Sequence, residues 1–249
     1  MSINKARLEI AGESHTGPVR HHNEDSFLIY SPPGGEAVLA VIADGIGGHS
    51  RGEQASYLCC RELLIAAKKT PCSEWDREFL CRALNGANEK IFNFNFRSRR
   101  VRPMGCTVVA AIFTFDKLIF ASAGDSRIYE YNRNCQPAFR QLSKDHRPEG
   151  FDALYNMGAF RHTSLVSRSL GTAKELQLDS EELPRSPESK YLLCSDGLYN
   201  HLPEQVLSGT LGEDISMRKI SGKLLRSALL AGEKDNISVI CAATAPDGE

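Results

Sequence analysis

Short apolar runs and three amphipathic segments divide the chain into predicted strands and helices. Apolar runs typical of buried or half-buried strands predict strands at 8–11, 26–30, 37–43, 107–115, 118–123, 127–131, 138–142, 191–194 and 237–242. Apolar residues recur at helical spacing along 55–66, 80–94 and a final segment at about 214–230. Short turns between the strands of 107–142 favour an antiparallel meander. Strands and helices that come in blocks predict layered α+β packing.

Length, composition and charge fit one globular domain over 1–249. The chain has 249 residues, 41% of them hydrophobic, with no internal repeat or clear linker. Its 30 Lys and Arg residues balance 31 Asp and Glu, so no net charge draws it to nucleic acid or to an anionic membrane. No apolar stretch approaches the roughly 20 residues of a membrane span. We therefore expect a cytoplasmic protein with neither partner.

The cysteines predict free thiols rather than disulfides. Several of the eight lie in apolar strand-like or helical segments, and the sequence contains no Cys-x-x-Cys pair. Small buried cysteines are typical of a reducing compartment.

Acidic residues stand where the predicted buried strands begin or end. Asp44 follows 37–43, Asp196 follows 191–194, and Asp235 precedes 237–242. A carboxylate beside a buried strand costs free energy unless it is paired or binds a cation, and several that converge require a cation. Oxygen ligands without paired Cys or His indicate Mg²⁺ or Mn²⁺ rather than Zn²⁺. Turn or helix-capping aspartates are the competing interpretation.

Seven short segments, in this order along the chain, carry a family resemblance: 20–25, 44–48, 105–107, 124–127, 167–171, 195–198 and 235–238. Through them the chain resembles the metal-dependent Ser/Thr protein phosphatases of type 2C, as a small stand-alone bacterial member, from about residue 17 to 240. The resemblance implies a four-layer αββα sandwich, in which helices flank two antiparallel sheets and the metal site lies at one end.

The resemblance also implies a role for each acidic residue. Asp44 would bridge two Mn²⁺ or Mg²⁺ ions and Gly45 would offer its backbone carbonyl. Asp196 and Asp235 would complete the shell of the first ion. Glu24 and Asp25 would hold metal-bound waters or second-metal ligands. Asp125 would join Asp196 at a third ion, although Gly124-Asp125-Ser126 is also typical of a plain hairpin turn.

Arg20 is the expected phosphate contact, because a guanidinium can make paired hydrogen bonds to phosphoryl oxygens. The alternative is a solvated loop arginine beside His21 and His22. The catalytic set expected from the resemblance is therefore Arg20, Asp44 and Asp196, with a metal-activated water as the nucleophile.

Two features depart from part of the family. Ile46 occupies the position where some members carry a histidine as a candidate general acid. His49, His146 and His162 are imaginable donors, but we expect metal-bound water to protonate the leaving group. A short, rather basic flap at about 145–168 is expected to set substrate choice.

The predicted function is hydrolysis of phosphoserine and phosphothreonine on bacterial proteins by a monomeric enzyme. The resemblance suggests a cognate Ser/Thr kinase as a further partner. A catalytically silent phosphoprotein-binding domain is the alternative, against which the intact Asp44, Asp196 and Asp235 weigh. A nucleic-acid phosphodiesterase would need a basic track interleaved with aromatic residues. The only candidate, 93–102, reads as a helix end with solvated arginines.

Overall fold

Two antiparallel sheets form the centre of the computed structural model, which describes residues 8–34, 37–46, 51–98, 103–148 and 166–244. One sheet has the strand order β1-β11-β10-β7-β8. The other has the order β2-β3-β5-β6-β9, with β4 beside the end of β3. The strands are β1 (Leu8–His15), β2 (Asp25–Tyr30), β3 (Ala37–Ile46), β4 (Gly105–Cys106), β5 (Val108–Thr114), β6 (Lys117–Ala123), β7 (Arg127–Tyr131), β8 (Phe139–Gln141), β9 (Asp179–Pro184), β10 (Lys190–Cys194) and β11 (Ile237–Thr244).

Helices cover the outer face of each sheet. The β3 sheet is covered by α1 (Gly52–Lys69) and α2 (Arg77–Arg97), and a 3₁₀ turn at Cys72–Glu74 lies between these helices. The β11 sheet is covered by α3 (Asp196–Tyr199), α4 (Glu204–Leu211) and α5 (Met217–Leu230). Asp76 is the N-cap of helix α2, and its side chain accepts a 2.7 Å hydrogen bond from the backbone N–H of Phe79. The predicted αββα sandwich is confirmed.

Side-chain alternation along the central strands explains the layers. In β3, Leu39 and Val41 pack toward α1 and α2. Ala40 and Ile42 point the opposite way, into the apolar layer between the sheets. Because both faces of β3 are buried, its sequence is a continuous apolar run rather than an alternating one.

The predicted meander over 107–142 is wrong. Strands β5 and β6 pair in one sheet, whereas β7 and β8 pair in the other. The chain crosses between the sheets at 124–126, where Gly124 has a φ of +107°. The sequence could not reveal this crossing, because short apolar strands have the same residue pattern in either sheet.

Smaller differences concern the edges. Strand β9 and helix α4 were not predicted, and β9 is an acidic edge strand with few apolar residues. The last helix begins at Met217 rather than near 214. The thiols of seven cysteines are free, as predicted: Cys59, Cys60, Cys81, Cys106, Cys135, Cys194 and Cys241. None of the helices in the described ranges is long and apolar enough to cross a membrane.

Candidate metal centre

The strand ends bring the predicted acidic residues to one end of the sandwich. Asp25 begins β2 and lies opposite Asp44 near the end of β3. Asp196 follows β10 and Asp235 precedes β11, and these two strands are antiparallel neighbours. Asp125 lies just after β6, between the two sheets. Residues from five separate parts of the chain therefore converge at this end.

Asp25 is buried and only half satisfied. Its Oδ2 accepts a 2.7 Å hydrogen bond from the Ser195 hydroxyl, which itself accepts one from the backbone N–H of Ser238 at 2.9 Å. Its Oδ1 has no hydrogen-bond partner. Burial raises the pKa of Asp25 to about 6, although the bond from Ser195 opposes that shift.

Asp44 and Asp196 lie in the negative field of the other carboxylates. Burial raises the pKa of Asp44 well above its usual range, and the charges of Asp25, Asp196, Asp125 and Asp235 raise it further. The pKa of Asp196 rises to about 8, mainly through burial and then through Asp125 and Asp235. Asn200 donates a 3.1 Å hydrogen bond to Asp196 Oδ2. A cation bound among these carboxylates would favour their ionised forms and therefore lower the pKa of both.

Asp125 has the same character. It is 2% exposed, and its Oδ1 has no hydrogen-bond partner. Burial raises its pKa to about 6, and the charge of Arg147 opposes that rise. The residue lies at a crossing between sheets, so the hairpin-turn interpretation does not describe its surroundings.

Arg20 contacts one of the predicted ligands. Its Nη2 lies 2.6 Å from Asp235 Oδ2, and the two side chains are 51% and 39% exposed. The guanidinium is therefore at the rim of the acidic group, within reach of solvent. This places Arg20 beside the centre, and its binding of phosphate stays a prediction.

The loop that carries Glu24 is held by an asparagine to which the sequence analysis gave no role. Asn236 Oδ1 accepts from the backbone N–H of Glu24 at 2.8 Å. Its Nδ2 donates to the carbonyls of Thr16 and His22 at 2.8 and 3.0 Å. Burial raises the pKa of the Glu24 carboxyl, which is half-buried.

Gly45 allows the main chain to approach the start of α1 closely. A Cβ at Gly45 would lie 2.2 Å from the carbonyl carbon of Gly52, well inside the contact limit. The Gly45 N–H donates to the Glu24 carbonyl at 3.1 Å. Only glycine fits at this position, because the backbone of Gly52 fills the space that a Cβ would need.

A second group of side chains supports Asp125 and Asp196, and sequence reasoning missed it. The Tyr199 hydroxyl donates a 2.8 Å hydrogen bond to the Asp125 carbonyl. Arg127 lies 3.5 Å from the centre of the Tyr199 ring and makes paired hydrogen bonds of 2.8 and 2.6 Å to Asp145. The sequence motifs offer no signal for Tyr199, which lies three residues after Asp196.

The donor set fits a divalent, oxygen-preferring cation. Five aspartates influence one another, and two of them have an orphaned buried oxygen. Such atoms are costly unless an ion or water contacts them. Among the described residues, no group of three or more His, Cys, Asp or Glu side chains is already spaced to hold a metal ion.

Of the three imagined histidine donors, His146 alone lies within the described residues, and it is held by structural contacts. His146 is buried, where its Nδ1 accepts from the Gly124 N–H at 3.0 Å and its Nε2 lies 3.0 Å from Asp179 Oδ2. Both ring nitrogens are therefore engaged structurally. His49 and His162 fall outside the described residues, as do Gly47, Gly48 and most of the predicted flap.

Comparison with known proteins agrees with this arrangement. Residues 11–218 match the sequence model of the family described as Protein phosphatase 2C. The Serine/threonine phosphatase stp of Listeria welshimeri is 30% identical over 235 residues, which cover 90% of this chain and 91% of that protein. The structure of Serine/threonine phosphatase Stp1 from Staphylococcus aureus superposes with a TM-score of 0.84 at 26% identity, covering 96% of both chains.

A further structure, the catalytic domain of the serine threonine protein phosphatase PstP in complex with 2 manganese ions, has a TM-score of 0.78. It is 29% identical and covers 96% of this chain and 99% of that one. The family match spans most of the sequence and includes the segments around Asp44, Asp125 and Asp196. The chain therefore belongs to the protein phosphatase 2C family.

Proposed function

We propose that this chain is a metal-dependent phosphatase that hydrolyses phosphoserine and phosphothreonine in bacterial proteins. The convergence of five aspartates at one end of the sandwich, two of them with an orphaned buried oxygen, is the observation that carries this proposal. Membership of the protein phosphatase 2C family and the relatives named as Ser/Thr phosphatases support the reaction and substrate class.

Asp44 is the central metal ligand in this proposal, because its charge interacts with all four other aspartates. The Gly45 carbonyl, Asp196 and Asp235 would complete one site, and Glu24 and Asp25 would serve a second ion. Asp125 and Asp196 would hold a third. Mn²⁺ or Mg²⁺ bound there supplies Lewis acidity, which lowers the pKa of a water and offsets charge on the phosphoryl group.

Arg20 is proposed to bind the phosphoryl oxygens. Its guanidinium is half exposed and pairs with Asp235 at 2.6 Å. With Asp235 engaged as a metal ligand, the same guanidinium would donate paired hydrogen bonds to phosphate. In this proposal Arg20 exchanges the Asp235 carboxylate for the phosphoryl group of the substrate and stays at the rim of the site.

We also propose a cellular location, a partner, an oligomeric state, a domain extent and a role for the flap. Free cysteines, most of them buried, are typical of a reducing compartment, which supports a cytoplasmic location. A cognate Ser/Thr kinase, a monomeric state, a single catalytic domain over 1–249 and a specificity role for the 145–168 flap follow from the resemblance alone.

Hydrolysis of an aryl phosphate and of a phosphothreonine peptide tests the proposal. Both reactions should require Mn²⁺ or Mg²⁺, stop in excess chelator and resist thiol-blocking reagents. Asp44→Asn should abolish turnover with an unchanged circular dichroism spectrum, because it removes the shared ligand charge.

Asp214→Asn is the matched control, since Asp214 is 76% exposed and pairs with Arg133 away from the centre. Turnover that persists in chelator would contradict the metal-dependent mechanism. Tight phosphopeptide binding without hydrolysis at any metal concentration would favour the catalytically silent alternative.

A further inference from the structure

Glu233 is a buried carboxylate two residues before Asp235, and none of the proposed metal sites uses it. The residue is 4% exposed and lies just after helix α5, where its backbone N–H donates to the Ala228 carbonyl at 3.1 Å. Gly232, with a φ of +95°, makes the turn that ends the helix. The end of α5 therefore holds Glu233 against the core.

Both carboxylate oxygens of Glu233 have partners. Oε1 accepts hydrogen bonds from the backbone N–H groups of Lys234 and Asp235, at 2.6 and 2.8 Å. Oε2 lies 2.6 Å from Nδ1 of His201, whose side chain is 30% exposed. An ionised carboxylate can only accept, so the proton of this contact is assigned to His201 Nδ1. Glu233 is satisfied by these three donors and has no need of a metal ion of its own.

The contacts of Glu233 join two proposed ligands of the same ion. His201 follows helix α3, which begins with Asp196. Glu233 binds His201 on one side and the backbone N–H of Asp235 on the other. Asp196 is buried, whereas the side chain of Asp235 is 39% exposed. The direction of the Asp235 carboxylate therefore depends strongly on how its main chain is held.

We propose that Glu233 and His201 are positioning residues of the metal centre, which fix Asp235 relative to Asp196 before an ion binds. This inference rests on the proposed function, in which the two aspartates bind one ion. Without the link, ion binding must also order the loop of Asp235, and that entropy cost weakens binding. Replacing residues that orient metal ligands typically lowers metal affinity about 10-fold to 100-fold.

Calorimetric titration of the metal-free protein with Mn²⁺ tests the proposal without relying on activity. Glu233→Ala should raise the dissociation constant at least about tenfold, because two backbone N–H groups lose their acceptor. Glu233→Gln keeps an oxygen for those N–H groups and should bind Mn²⁺ within about threefold of the unaltered protein. A residue that acted only through its negative charge would lose as much affinity in Glu233→Gln as in Glu233→Ala.

His201 variants keep the test decisive if Glu233→Ala does not fold, since the His201 side chain is partly exposed. His201→Ala should weaken Mn²⁺ binding several-fold. His201→Asn should recover part of the loss, because the amide nitrogen replaces the Nδ1 donor. Glu62→Ala is the matched control and should leave the affinity unchanged, since Glu62 is a buried glutamate of α1 that pairs with Lys90 of α2.

Three results would overturn this inference and leave the proposed function standing. They are unchanged Mn²⁺ affinity in Glu233→Ala or His201→Ala, equal losses in Glu233→Gln and Glu233→Ala, and an equal loss in the Glu62→Ala control. Absence of Mn²⁺ binding by the unaltered protein would instead overturn the proposed function, and this inference with it.

Discussion

The hydroxyl of Tyr199 donates a 2.8 Å hydrogen bond to the backbone carbonyl of Asp125. Tyr199 ends the short helix α3 that Asp196 begins, so this bond joins the two residues proposed to share a third ion. Arg127 stacks on the ring of Tyr199 and holds it from the other side. The position of Asp125 relative to Asp196 therefore depends on one phenolic hydroxyl.

Tyr199→Phe should raise the Mn²⁺ concentration needed for half-maximal activity about fivefold. The substitution removes a part-buried hydrogen bond, worth about 1 kcal/mol, and the 3.4 Å contact from Arg147, but keeps the ring beneath Arg127. The measurement is activity as a function of Mn²⁺, together with thermal unfolding. Tyr57→Phe is the control, because Tyr57 is 59% exposed on α1. An unchanged metal requirement in Tyr199→Phe would remove this positioning role.

Arg20→Ala should mainly raise KM for phosphorylated peptides. The lost charge-assisted contact is worth about 1.5 to 3 kcal/mol, which corresponds to an increase of roughly 10-fold to 150-fold. Arg20→Lys should recover part of the loss, since lysine keeps the charge but not the paired donors. Steady-state kinetics at saturating Mn²⁺ provide the measurement, and unchanged KM and kcat in the alanine variant would speak against phosphate binding.

The metal-free protein should become more stable as the pH falls from 8 to 5. The pKa of Asp196 is raised to about 8 and those of Asp25 and Asp125 to about 6, so folding favours their protonated forms. Their destabilising effect is absent below the ordinary aspartate pKa and grows as pH rises to the raised values. Thermal unfolding in chelator measures the trend.

Asp196→Asn is the control for this pH dependence, because it removes the group with the highest pKa of these three. Its unfolding temperature should vary less between pH 8 and 6. Bound Mn²⁺ should reverse the trend in the unaltered protein, since the ion requires ionised carboxylates. A metal-free protein that loses stability on acidification over this range would refute the assignment.

Gly45→Ala should destabilise the fold by about 3 kcal/mol and weaken metal binding. The added Cβ would lie 2.2 Å from the Gly52 carbonyl carbon, and backbone on both sides must move to admit it. Gly86→Ala is the matched control within α2, because a Cβ there meets nothing within 4 Å. That variant should gain up to about 1 kcal/mol from helix propensity. Urea denaturation compares the two, and equal stabilities would be inconsistent with the close approach.

Much of the sandwich was predictable because buried strands and amphipathic helices produce strong patterns. The run 37–43 became the centre of β3, and the apolar stripes of 55–66 and 80–94 became the inner faces of α1 and α2. The crossing at Gly124 was not predictable. Strands pair through their backbones, and the side chains of a strand do not indicate which sheet it joins. Strand β9 was missed because its exposed acidic residues conceal its pairing with β6.

The site was predictable only as far as its acidic residues. Asp25 and Asp44 could be expected to converge, and they are cross-strand neighbours. The hydrogen bonds of Asn236 and Tyr199 join loops that are distant in sequence, and a single sequence contains no signal for such pairs. The burial of Arg185, which is 8% exposed, was equally unpredictable, since a charged residue after an edge strand is ordinarily solvated.

The position of β11 makes completion of its sheet depend on one of the last-synthesised segments of the described chain. This strand, one of the last parts of the described chain to be made, lies between β1 and β10 and follows directly after Asp235. While residues 235–244 are still inside the ribosome, β1 has no neighbour in its sheet and the loop of Glu24 lacks Asn236. Pairing of the β1 edge and the Asn236 contacts of the Glu24 loop therefore form only after this strand has been synthesised.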